Sequence, residues 1–167
     1  MNNTTIFVDM DGVIAKYDRH AYDRNNGPIP GVALFEHEES HYFLSCEPDP
    51  KGILLLNTII AAKNTDVFIL TTVAEHIPWA ADDKKKWLRT YCPKIDVERQ
   101  LIITSSDKTE IAKAKMTSGQ LSDKTILIDD FNKNLLAWHK AGGKAIKYLN
   151  GINSPDSWKG EIYDGRK

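Results

Sequence analysis

The sequence predicts a doubly wound α/β fold: a mostly parallel sheet covered by helices on both faces, with a small cap inserted after the first strand. Three observations predict it. Short apolar runs rich in β-branched and aromatic residues recur along the chain, longer amphipathic runs separate them, and one polar stretch dense in Pro and Gly interrupts the alternation early. Strands that alternate with helices require right-handed crossovers, and those produce parallel pairing.

TTIFVD (4–9) is the first strand, because its apolar residues are continuous, as burial on both faces requires. Residues 16–50 contain NNGPIPG and CEPDP, which break regular structure. They form the cap insertion, and residues 1–15 and 51–167 form the core. KGILLLNTIIAAK (51–63) is long enough for a helix, and DVFIL (66–70) is the next strand. A helix around 78–91, a strand LIIT (101–104), a helix from about 108 and a strand TILID (125–129) follow. A helix over 132–141 is stopped by Gly142-Gly143, and AIKYL is the last strand. GINSPDSWKG then reads as a loop leading into a short terminal helix within residues 150–167.

The 167 residues are 41% hydrophobic and 27% charged, with a net charge of -1. No field of either sign points to a nucleic-acid polymer or a membrane surface. No apolar run approaches the roughly 18 residues that span a bilayer, and MNNTT lacks the basic and apolar regions of a signal peptide, so a cytoplasmic protein is expected. Cys46 and Cys92 form no C-x-x-C pair and are expected as thiols, and the five histidines never pair with cysteines at zinc spacing.

In such folds ligands bind outside the carboxyl ends of the strands. Strand one ends at Asp9 and runs into Asp11, strand two ends in Thr71-Thr72, the third leads to Ser105, Ser106, Asp107 and Lys108, and the fourth ends in Asp129-Asp130. Four carboxylates in one crevice repel, each close pair costing roughly 4 kcal/mol at an effective dielectric near 20. A bound cation removes the conflict. Oxygen ligands without His or Cys favour a hard ion such as Mg²⁺ beside a substrate phosphate.

That combination points to phosphoryl transfer through an aspartyl-phosphate. Asp9 would be the nucleophile and Asp11 the acid and then the base, Thr71 and Lys108 would hold the phosphoryl oxygens, and Asp129 and Asp130 the metal. Lys113 and Lys115 compete for the role of Lys108, and Asp129 also suits a helix cap.

FVDMDGV, VFILTT, SSDKT and ILIDD stand in the order of the four motifs of the haloacid dehalogenase (HAD) phosphatases, which the chain resembles. Within that superfamily DMDGVIAKY, YFLSCEP, NTDVFILTT and KKKWLRTYCP are similar to segments of the 5'(3')-deoxyribonucleotidases. The resemblance implies a Mg²⁺-dependent nucleotidase acting on nucleoside monophosphates. It implies a metal held by Asp9, the backbone carbonyl of Asp11 and Asp130, with phosphate on Thr71, Thr72, Lys84 and Lys108 and a nucleoside pocket lined by Tyr17 and Phe43. Lys84 competes with Lys85 and Lys86 of the same run, and Tyr17 and Phe43 suit a small core within the cap somewhat better than a base platform. Thr72-Val73 replaces the family's Ser-Pro, and the insertion is shorter than in the mammalian enzymes.

Rival readings are a phosphatase for a sugar phosphate or another small phosphomonoester, and a silent binding module on the same scaffold. A receiver domain is excluded, because there the acidic pair precedes the phosphorylated Asp. Oligomeric state is not fixed by the sequence, a homodimer being among the states left open.

Overall fold

In a computed structural model of the chain, which describes residues 3–17 and 34–167, six strands form one sheet. They are β1 (Thr4–Val8), β2 (Thr65–Thr72), β3 (Leu101–Thr104), β4 (Thr125–Asp129), β5 (Lys144–Leu149) and β6 (Glu161–Asp164). Their order is β3-β2-β1-β4-β5-β6, and every neighbouring pair is parallel. The helices are α1 (Tyr42–Ser45), α2 (Pro50–Ile60), α3 (Trp79–Tyr91), α4 (Val97–Gln100), α5 (Lys108–Lys115) and α6 (Asn132–Lys140).

Successive strand residues point to opposite faces, so Val8 and Phe7 start two cores. Val8, Val67, Ile69 and Ile128 pack against Leu56 and Ile59 of α2 and Trp87 and Leu88 of α3. Phe7, Leu70, Leu127 and Ala145 pack against Ala112 of α5 and Leu135 and Trp138 of α6. Burial on both faces explains the continuous apolar runs of β1, β2 and β4. The chain moves outward from β1 to β2 and β3, then returns to place β4 on the other side of β1. The crevice of a doubly wound sheet opens at that reversal, between the carboxyl ends of β1 and β4.

Helix starts follow from local chemistry. Pro50 opens α2, and Asp49 caps it by accepting from the N–H groups of Lys51 and Gly52 at 2.9 and 3.0 Å. Asp107 caps α5 through the N–H of Thr109 at 2.7 Å. Gly142, at φ +93°, ends α6 as expected, with its N–H on the His139 carbonyl.

The structure corrects the reading of the C-terminus. No terminal helix forms; Glu161–Asp164 is a sixth parallel strand beside β5, so AIKYL is not the last. Aromatic packing selects it: Tyr163 stacks on Tyr148 with ring centroids 5.7 Å apart, and the Trp158 indole N–H donates to the Glu161 carbonyl. Strand β1 also stops at Val8, one residue before the expected Asp9.

Of the expected cap, residues 18–33 lie outside the described residues. The part from 34 to 49 is more regular than expected, with two single turns of 3₁₀-helix before α1. Phe35, Tyr42 and Phe43 form a third small core with Ile77 and Ala80 at the start of α3. Among the described residues no helix is long and apolar enough to cross a membrane.

One close approach fixes the loop after β1. The α2 N-terminus presses on it so tightly that a Cβ at Gly52 would lie 1.8 Å from the Val13 carbonyl oxygen. In an ordinary helix Gly→Ala gains about 1 kcal/mol. Here Gly52→Ala reverses the sign and destabilises by about 3 kcal/mol, measured as a lower urea midpoint with unchanged slope.

Candidate active site

The loop after β1 is built around one carbonyl. Met10 C=O accepts from the N–H groups of Val13, Ile14 and Ala15, and Gly12 N–H donates to the Ala15 carbonyl at 2.8 Å. Gly12 adopts φ +78°, a conformation open chiefly to glycine. The turn follows directly on Asp9, whose N–H still pairs with the Ile128 carbonyl of β4 at 2.9 Å. Asp9 is therefore rigid and 7% exposed.

Two buried lysines meet the acids. Lys108, the first residue of α5, lies 2.8 Å from Asp9 Oδ1 and 2.8 Å from Asp129 Oδ2, bridging the ends of β1 and β4. Lys84 is fully buried, and its Nζ donates to Asp11 Oδ2 at 2.5 Å, Thr71 Oγ1 at 2.7 Å and the Thr72 carbonyl at 2.8 Å. It also lies 4.7 Å from the centre of the Phe43 ring. Within the DDKKK run Lys84 is singled out because it shares the buried stripe of α3 with Ala80, Trp87 and Leu88, whereas Lys86 is exposed. Lys113 pairs with Glu110 and Lys115 lies over Phe68, so neither takes the place of Lys108.

Asp129 and Asp130 differ sharply in their partners. Asp129 accepts from the Phe131 N–H on Oδ1, and from Lys108 and Asn134 on Oδ2, which occupies both of its oxygens. Asp130 receives its side-chain bonds on Oδ2 alone, from Asn150 at 2.8 Å and Asn153 at 2.7 Å. Its backbone carbonyl accepts from the buried Lys147. One oxygen from each of Asp9, Asp129 and Asp130 lies within 4.8 Å of the others.

This crowding shows in the proton affinities. Burial pushes the Asp9 carboxyl up to about 8; Lys108 opposes the rise, while Asp129, Asp11 and Asp130 add to it. Burial, together with Asp129, pushes Asp130 up to about 6 against the Asn150 and Asn153 donors. For Lys108 burial favours the neutral amine, but Asp129 and Asp9 outweigh it and hold the ammonium above the usual lysine range. Burial pulls Lys147 down despite the nearby carboxylates. A hard divalent cation fits this donor set: buried, all-oxygen, and with more negative charge than Lys108 compensates.

A cleft of about 250 Å³ opens above the acids, lined by Asp9, Asp11, Tyr17, Phe43, Thr72, Asp130, Phe131, Asn134 and Asn153. Thr71, Lys84 and Lys108 lie buried beneath its floor. The structure thus brings together every sequence-predicted site residue. Sequence reasoning missed Phe131, Asn134, Lys147, Asn150 and Asn153. Asn150 stands immediately after β5, at a strand end beyond the four that carry the expected motifs. Two larger clefts, of about 600 and 630 Å³, lie elsewhere: one between β2 and α4 around Thr65, Asp96 and Gln100, the other beside Trp158 and His139. Neither contains the acidic cluster.

The UTR4 protein (unknown transcript 4 protein) of Saccharomyces cerevisiae has a similar structure, with a TM-score of 0.51 over 98% of each chain at 12% sequence identity. The likeness shows the fold. It is a parallel α/β sheet with helices on both faces, as the sequence predicts, and at 12% identity the likeness carries nothing finer. No protein-family model and no curated protein matches the sequence.

With Asp9 and Asp130 raised above the ordinary carboxyl value of 3.8, the cation-free folded protein holds protons that the unfolded chain has released. Its stability therefore falls as pH rises from about 4 to about 8. A divalent cation held by this cluster, at a hundredfold excess over its Kd and alkaline pH, would restore about 3 kcal/mol and much less near pH 5, where Asp9 is protonated. Thermal melts across pH with and without Mg²⁺ measure this difference.

Proposed function

We propose that the protein is a Mg²⁺-dependent phosphomonoesterase that hydrolyses nucleoside monophosphates through an aspartyl-phosphate on Asp9. The observation that carries this reading is the double bridge beneath the cleft: Lys108 between Asp9 and Asp129, and Lys84 between Asp11 and Thr71. Two ammonium groups flank two carboxylates that differ in exposure, Asp9 buried and Asp11 at the cleft wall.

Both protein hydrogen bonds to Asp9 fall on Oδ1, from Met10 N–H and Lys108, so Oδ2 has no donor among the described residues. Oδ2 is the oxygen we assign to attack on phosphorus, as the bond from phosphorus to the ester oxygen breaks. Asp11, at the cleft, gives its proton to the departing alkoxide. It then takes a proton from the water that attacks phosphorus and breaks the acyl-phosphate bond, which returns Asp9 as carboxylate and releases inorganic phosphate. Lys84 and the Thr71 hydroxyl stand where they can donate to the transferring phosphoryl oxygens. Asp9, Asp130 and the Asp11 carbonyl would hold the Mg²⁺ ion, which when bound supplies positive charge to the phosphoryl group. Asp129 is committed to Lys108, Asn134 and its own helix start, which favours Asp130 as the carboxylate ligand from that pair.

The substrate class rests on the aromatic rim. Tyr17, Phe43 and the 48%-exposed Phe131 stand around one opening above the acids, and a base stacked on such a surface gains roughly 1 to 3 kcal/mol.

In Asp9→Asn turnover falls by roughly 10⁴-fold or more while the melting temperature without cation is kept, and full activity in that variant would sink the mechanism. Wild-type protein quenched during turnover carries one phosphoryl group on the peptide containing Asp9, seen by mass spectrometry. A panel comparing deoxyribonucleoside and ribonucleoside monophosphates with sugar phosphates tests the substrate class, and higher kcat/KM on the sugar phosphates would overturn it. Phe131→Ala raises KM for a nucleoside monophosphate about tenfold with kcat unchanged.

A further inference from the structure

The loop after β5 has no part in the chemistry assigned above, yet both side-chain donors to the Asp130 carboxylate come from it. Asn150 directs one amide group to two elements: its Nδ2 donates to the Gly12 carbonyl at 2.8 Å and to Asp130 Oδ2 at 2.8 Å. Its Oδ1 accepts from the N–H groups of Ile152 and Asn153, folding the loop back so that the Asn153 amide reaches the same Asp130 oxygen at 2.7 Å. Lys147 anchors the base by donating to the Asp130 carbonyl and to Asn132 Oδ1, both at 2.7 Å. Asn132 in turn holds the loop's far side through the Ser154 carbonyl and Ser157 Oγ.

The packing around Gly12 is fitted to the same contact. A Cβ at Gly12 would lie 2.3 Å from Asp130 Oδ2 and 2.9 Å from Asn150 Nδ2, so the space a side chain would fill is taken by this contact. The backbone of the Asp9–Gly12 loop is shaped to let Asn150 and Asp130 meet over it.

We propose that Asn150 and Asn153 are positioning residues of the cation site. Two donors saturate Asp130 Oδ2, which leaves Oδ1 for a cation. The same Asn150 amide ties Asp130 to the Gly12 carbonyl, one residue beyond Asp11, so the ligands from the β1 and β4 loops keep a fixed spacing. The inference rests on the reading of Asp9 and Asp130 as cation ligands. Outer partners of ligating carboxylates commonly govern cation affinity by about 10 to 100-fold.

The test is Mg²⁺ affinity by isothermal titration calorimetry, without substrate, for wild-type, Asn150→Ala, Asn153→Ala and Ser157→Ala. Asn150→Ala and Asn153→Ala are expected to weaken Mg²⁺ binding by about tenfold or more, and Ser157→Ala to leave it within twofold. In turnover the Mg²⁺ concentration for half activation rises in parallel while KM for the phosphomonoester stays constant. Asn150 also braces the Gly12 loop; Asn153, whose side chain bonds Asp130 alone among the described residues, therefore keeps the test decisive if Asn150→Ala fails to fold. Wild-type affinity retained in a folded Asn153→Ala overturns the inference. Absence of Mg²⁺ binding in the wild-type overturns both this inference and the cation-dependent function on which it rests.

Discussion

The ammonium of Lys108, set between Asp9 and Asp129, is the constraint around which the crevice is organised. Parallel strands that end side by side bring their terminal residues together, and here both residues are acids with almost no solvent. An ionised carboxylate in such surroundings is expensive. A single lysine at the first turn of α5 touches both and offsets part of their charge. The Asp107 cap that starts α5 thus has a role beyond the helix, since it sets where Lys108 begins.

The same logic repeats one step away with different parts. Lys84 reaches Asp11 and Thr71 from the middle of α3, crossing the apolar stripe that buries the helix on the sheet. The two lysines divide the four acids unevenly, leaving Asp130 to neutral amides. Amide donors orient a carboxylate without cancelling its charge, which is what a ligand for a hard cation needs.

Much of this was legible in the sequence because strand ends are short, apolar and punctuated by polar residues. FVDMD, FILTT and ILIDD announce themselves, and parallel pairing then brings their ends together without further information. Lys84 was half legible: its place on the buried stripe distinguishes it from Lys85 and Lys86 once α3 is in register. Asn150 and Asn153 were not, because AIKYL has the pattern of a last strand and the region beyond it that of a loop leading into a helix. Strand β6 stayed hidden for a related reason. Its four residues carry one aliphatic side chain, and what holds them is the stacking of Tyr163 on Tyr148, a contact between rings fifteen positions apart that no local pattern encodes.

Gly12 is bound to its surroundings by exclusion as well as by hydrogen bonds. The volume its side chain would need is filled by Asp130 and Asn150, which come from two other strand ends far along the chain. In mutational terms the three positions behave as one locus. A saturation library at Gly12 would recover glycine against this background, and a larger residue there becomes accessible only in variants that have first vacated position 130 or 150. Sequence drift around this crevice is therefore gated by order: the distant positions must change before the one in the middle can.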